Sequence, residues 1–157
     1  MTTYRLLLAA ALALASVSFA LLLAERRAGV QPVLADPLRT PGVLNPDVTQ
    51  ATIATTICVQ GWTRTVRPPT EYTNALKVRQ MRAYGERGSP SSFQEDHLVS
   101  LELGGHPTDP RNLWPEPYPR ASQVDAIENE LNRQVCDGSL TLAEAQQQES
   151  ELKHSRG

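Results

Sequence analysis

An aspartate followed directly by a histidine, Asp96-His97, with an asparagine, Asn112, further along, is a set of residue types that can cut phosphodiester bonds. That hydrolysis needs a general base to make water nucleophilic. It also needs a cation to neutralise charge building on the phosphate and the leaving oxygen. Histidine titrates near neutrality and can take the water proton, while aspartate is a hard oxygen ligand for magnesium or a similar ion. Adjacent residues of a regular strand point to opposite faces. The pair can therefore serve one site only if the chain bends at the strand's start, which an edge after Ser91-Ser92 permits.

The elements that must carry these residues are legible from local signals. Phe93 to Leu103, then Gly104-Gly105 and a Pro-Thr-Asp-Pro turn, then Asn112-Leu113-Trp114, read as a two-strand hairpin with a long loop. Ser122 to Asp125 has capping-box spacing, and Ile127, Leu131 and Val135 follow at helical intervals before Gly138, so a helix should pack on the hairpin. Thr141 to Glu144 repeats the capping pattern and opens a polar terminal helix expected on the surface. Upstream, Asn45 before Pro46-Asp47 reads as the cap of a short helix running to Gly61, and Trp62 to Pro69 reads as extended. Glu71 to Tyr84 is a helix with Tyr72, Leu76 and Tyr84 on one face and Gly85 as its stop. Arg64, Arg67, Lys77, Arg79 and Arg82 make this stretch the basic part of the chain, either a solvated face or a grip on backbone phosphates.

The string Asp96-His97-Leu98-Val99-Ser100-Leu101-Glu102-Leu103-Gly104-Gly105, followed by Asn112-Leu113-Trp114-Pro115 and a helix, resembles the HNH (His-Me finger, ββα-metal) nuclease superfamily over Glu95 to Cys136. More narrowly, Trp62-Thr63-Arg64, Val66-Arg67-Pro68-Pro69 and Asn112 to Pro117 are similar to strings of small bacterial exported proteins with an HNH-like hairpin, which widens the likeness to most of Asn45 to Gln148. The resemblance implies that His97 is the general base, Asp96 a metal ligand and Asn112 the residue that holds the loop around the base. It implies a divalent cation, magnesium first with manganese or zinc as alternatives, and a nucleic-acid substrate, DNA ahead of RNA, with no small-molecule cofactor. The chain departs from the family at the third ligand, a His or Asn on the first turn of the helix. Here that window reads Ala121-Ser122-Gln123. Gln123 is the candidate through its amide oxygen, with Glu116 and Glu128 as substitutes. His106 and His154 read as a plain loop histidine and a tail histidine. Trp62 and Trp114 read as packing residues, the alternative being indoles that stack on bases.

At 157 residues, a formal net charge of -2 and 12 prolines, the chain suits one compact domain with a modest core and stiff connections. A wholesale nucleic-acid coat would carry a broad excess of Lys and Arg, so any phosphate-binding surface must be local. Leu6 to Leu23 is an uncharged apolar run followed by Glu25-Arg26-Arg27. Such a run is a membrane anchor or an export signal; Val33-Leu34-Ala35 supplies small residues for cleavage, and the two readings stay open. Residues 1–35 are thus expected to be signal peptide or anchor with linker, 36–45 linker, and 46–153 the HNH-like domain. Cys58 and Cys136 form no Cys-x-x-Cys pair; they read as one disulfide, or as two unrelated buried thiols. Behind an export segment the disulfide places the domain outside the cytoplasm, tethered or secreted. The expected whole is an α+β fold: a small, mostly helical domain around a ββα-metal hairpin and helix, preceded by an N-terminal hydrophobic helix. Two functions compete, a metal-dependent endonuclease and a non-catalytic HNH-like module acting as an envelope-tethered binding protein.

Overall fold

The computed structural model describes residues 33–157, so the apolar run at Leu6 to Leu23 and the roles expected of it lie outside the described residues. Among the described residues no helix is long and apolar enough to cross a membrane. Among the described residues four α-helices and a two-stranded antiparallel sheet make a small α+β fold. They are α1 (Trp62–Val66), α2 (Thr70–Tyr84), β1 (Phe93–His97), β2 (Leu113–Pro117), α3 (Arg120–Asp137) and α4 (Leu142–Arg156).

The helices with strong local signals stand where expected. Helix α2 stops at Gly85, whose φ of 74° is the left-handed conformation that glycine enters without a Cβ penalty, and Glu86 N closes the cap on Met81 O at 2.8 Å. Helix α4 opens with the full capping box: Glu144 N donates to the Thr141 hydroxyl, and Thr141 N donates to the Glu144 carboxylate at 3.0 Å. Helix α3 buries Ala121, Val124, Glu128, Leu131 and Val135, one stripe at intervals of three and four residues. It begins at Arg120 rather than at Ser122, and no side chain caps it.

Three upstream readings are corrected. Trp62–Val66 is helical rather than extended, because Gly61 turns left-handed (φ 82°) and launches a short helix. That helix ends where Pro68 holds Arg67 extended. The helix expected after Asn45 is replaced by turns and one 3-10 turn at Ile53–Thr55. Here Thr52 and Thr56 spend their hydroxyls on the Asp47 and Thr52 carbonyls, the local bonding with which threonine competes against a helix. Residues 33–45, read as linker, pack into the domain. Ala35 is fully buried, Asp36 N donates to the Tyr84 hydroxyl, Gly42 N to Arg111 O, and Asn45 N to Gly104 O. A turn at residues 37–39, closed by Thr40 N on Asp36 O at 2.7 Å, shapes this strap, and its backbone polar groups find partners on four other segments.

Strands β1 and β2 pair without a bulge, Phe93 opposite Pro117 through to His97 opposite Leu113. After Leu98 N reaches Asn112 O, the chain leaves the sheet and winds into a 3-10 turn at Leu101–Leu103, so the first strand is shorter than the sequence suggested. The reason is burial on all sides: Leu98, Val99, Leu101 and Leu103 are each buried, and alternation in a two-stranded sheet cannot achieve that. Val99 and Leu103 join Val48, Ile57, Leu131, Val135, Leu142 and Ala145 in one core.

The Cys58–Cys136 disulfide is present and ties the segment before α1 to the end of α3 across 78 residues. Reduction, or the double substitution Cys58→Ser with Cys136→Ser, is expected to lower the unfolding free energy by about 4 kcal/mol in the chain-entropy account. Urea denaturation of the oxidised and reduced protein checks this. A difference below about 1 kcal/mol would show that the core alone constrains the ends of that loop.

Candidate active site at the hairpin

His97 ends β1 and is buried, 6% exposed. Its Nε2 lies 3.0 Å from Pro107 O. A carbonyl can only accept, so Nε2 carries the hydrogen and, in the neutral ring, Nδ1 keeps the lone pair. Burial pushes the imidazole below its ordinary 6.5; the Pro107 carbonyl and the Asp96 charge pull it back only in part. The ring is therefore neutral at neutral pH with one nitrogen able to accept a proton, the state a general base requires.

Asn112 is fully buried and arranges the loop that aims this ring. Its Nδ2 donates to Val99 O at 3.0 Å and to His106 O at 3.1 Å, and its Oδ1 accepts from Val99 N at 3.0 Å and Val43 N at 3.4 Å. One side chain thus ties both ends of the loop between the strands to the strap. Gly105 completes the closure, because a Cβ there would sit 1.7 Å from Val99 O and 2.7 Å from Asn112 Nδ2. His106 acts within the loop, its Nδ1 accepting from Thr108 N and Asp109 N, and His154 donates to Thr40 O. Trp114 is fully buried against Ala35 and Leu98, and Trp62 packs on the main core.

Asp96 has an unforeseen partner. Its Oδ2 lies 2.8 Å from the ammonium of Lys153, which is 0% exposed and also meets Glu128 Oε1 at 2.6 Å, Glu149 Oε1 at 3.2 Å and the carbonyl of His97. The surface placement expected for α4 is corrected here: its Leu142, Ala145, Glu149 and Lys153 form a buried stripe. Burial alone would raise the Asp96 carboxyl, but the charge and hydrogen bond of Lys153 outweigh it and hold the group below the usual aspartate range. Glu116, fully buried, is pushed up to about 8 by burial and by the Asp96 charge, so it keeps its proton at neutral pH, and both its oxygens lie without a hydrogen-bond partner. Burial likewise raises Glu128 and Glu149. Glu149 turns both oxygens to Ser100 N, each at 3.0 Å.

Beside these groups lies a cleft of about 390 Å³ lined by Arg67, Gln94, Glu95, Asp96, His97, Glu102, Asp125, Glu128 and Asn129. Strand β1 supplies one wall and α3 the other. Asp96 and His97 both line it, although the unbulged register sends their side chains to different partners. Of the basic residues, Arg67 lines the cleft, while Lys77 and Arg79 lower Glu95 by their charge; Arg64 and Arg82 are exposed and line none of it. Gln123 is not brought to the cleft either: it is exposed, and its amide oxygen accepts from Arg120 at 3.4 Å. Helix α3 presents Asp125, Glu128 and Asn129 instead, from its second and third turns rather than its first.

The donor set fits a hard divalent cation in kind. Both carboxylate oxygens of Glu95 are buried without a hydrogen-bond partner, and this leaves the group at about 8, chiefly through burial. One oxygen each of Asp96 and Glu128 lies outside the Lys153 contacts, and Asp96 Oδ1 meets only Gln94 Nε2 at 3.2 Å. Among the described residues no three His, Cys, Asp or Glu side chains form a ready-made cage, so the carboxylates would have to close on the ion. Glu95, Glu149 and Lys153 were missed from sequence; the one available signal was the alignment of Glu149 and Lys153 with Leu142 and Ala145 along a capped helix. No family model matches the chain, and no curated protein or solved structure matches it.

Proposed function

We propose that this protein is a metal-dependent endonuclease of the HNH type, hydrolysing phosphodiester bonds in nucleic acid, DNA ahead of RNA, outside the cytoplasm. The observation that carries the reading is the His97 ring: neutral, oriented through Nε2 by Pro107 O, with Nδ1 left to accept a proton beside an acidic cleft. His97 would take the proton of the attacking water, and Asn112 keeps the loop that aims the ring. Arg67 at the cleft wall, with Lys77 and Arg79 on α2, would meet backbone phosphates. Glu95, Asp96 and Glu128 would hold a magnesium or manganese ion, which supplies charge neutralisation at the phosphate. The disulfide suits an oxidising compartment, and a tether or export signal within residues 1–35 remains part of the proposal.

A second reading, a non-catalytic envelope-tethered binding module, is favoured by one observation: Asp96 already spends an oxygen on Lys153. A nuclease assay of the full chain, disulfide intact, separates the two. The substrates are plasmid DNA, single-stranded DNA and RNA, each with magnesium, manganese or zinc. Cutting with magnesium or manganese that EDTA abolishes is the expected result. Absence of cutting with every metal, from a folded protein, would leave the binding module.

A further inference from the structure

Lys153 is an ammonium removed entirely from water, and such a group persists only where its charge and its protons are matched. Its three protons have three near acceptors, Asp96 Oδ2, Glu128 Oε1 and the His97 carbonyl, and Glu149 adds a fourth contact from the same helix. The acceptors come from β1, from α3 and from α4, so one side chain joins the strand that carries the base to both helices behind it. The strand carboxylate and the helix carboxylate, the two groups a bridging ion would be expected to link, are therefore already linked by a cation that belongs to the chain.

We propose that the Lys153 ammonium is a tethered cation, the permanent bridge between Asp96 and Glu128, and that it positions His97 by holding the carbonyl of that residue. An ion in the cleft then draws on the oxygens the ammonium leaves free, the Glu95 pair and the second oxygens of Asp96 and Glu128. Only the statement about His97 rests on the proposed nuclease reading; the bridge does not.

The test uses the full chain and reads thermal midpoints with and without millimolar Mn²⁺, and Mn²⁺ affinity by calorimetry. Lys153→Met keeps most of the stem and removes the charge. Without metal it should lose about 10 °C or more in midpoint, or lose its cooperative transition, because Asp96 is left buried and unmatched. Adding Asp96→Asn to Lys153→Met should recover at least about half of that loss, since the unmatched charge is gone. Mn²⁺ should raise the midpoint of Lys153→Met more than that of the wild type and bind it about tenfold more tightly, taking the vacated place. Recovery by either route supports the tethered cation, whereas a lysine that merely fills space responds to neither. A wild-type midpoint in metal-free Lys153→Met, or a loss that neither route restores, overturns the proposal. None of these readouts involves cleavage, so a wild-type protein that cuts nothing would remove the nuclease reading and leave the bridge standing.

Discussion

His97→Ala is expected to lower the phosphodiesterase rate by about 10² to 10⁴-fold, the usual share of a positioned base, with the protein still folded. The substitution removes the ring but leaves the backbone at residue 97, so the Lys153 contact to its carbonyl and the pairing with Leu113 survive. Its structural cost is the small hole and the Pro107 carbonyl left without its donor, about 1 to 3 kcal/mol. A thermal midpoint beside the rate separates that cost from the catalytic loss. The pH profile adds a second check. The base works only as the neutral ring, and burial holds the ring below its ordinary 6.5, so the wild-type rate should rise with pH along a limb lying under that value and then level. Loss of that limb in His97→Ala, together with the fall in rate, identifies the base. A variant that cuts as fast as wild type would sink the assignment.

How far the site could be read from sequence follows the range of the interactions that build it. The Gly85 stop, the Thr141 and Glu144 cap and the inward Leu131 and Val135 of α3 are decided within a few residues and stand where the local signals put them, whereas Ile127, read on the same face, is exposed and Val124 and Glu128 take the stripe in its place. The hairpin was visible because Gly104-Gly105 and the turn before Asn112 punctuate it, and Gly105 is fixed by a close approach that no side chain tolerates. Leu98 to Leu103 misread as strand because an apolar run is ambiguous until its surroundings are known, and here those surroundings are core on every side. The strap at residues 33–45 has linker composition, yet Ala35 and Tyr84 give it a fixed path. Lys153 lay furthest out of reach. Its carboxylate partner Asp96 is 57 positions away, and a lysine late in a polar helix carries no mark of burial until the fold brings three carboxylates to it. Gln123 shows the reverse case: the resemblance puts a third ligand on the first turn of the helix, which made Gln123 the candidate, but the helix turns that position outward and offers Asp125, Glu128 and Asn129 to the cleft.

Asn112→Ala should be the most damaging single truncation at the hairpin, because it acts on stability and on chemistry through the same bonds. The amide makes two donations and two acceptances in a site with no solvent access. Alanine strands Val99 O, His106 O, Val99 N and Val43 N together. Each unpaired buried group costs on the order of 1 to 3 kcal/mol, and because water can enter the space vacated, the combined loss is expected near 3 to 5 kcal/mol rather than the full sum. Asn112→Asp should be no milder, since a carboxylate faces the Val99 and His106 carbonyls where donors are required. The catalytic effect follows from geometry. Asn112 ties down His106 O, the next residue is Pro107, and its carbonyl orients the His97 ring. A loop released by about 1 Å misaims the base and lowers the rate by about 10²-fold even where the chain stays folded. Urea denaturation gives the first quantity. The second is the cleavage rate at a temperature where the variant is still native by circular dichroism. Asn112→Ala that keeps the wild-type rate while losing stability would confine Asn112 to packing and detach it from the aim of His97.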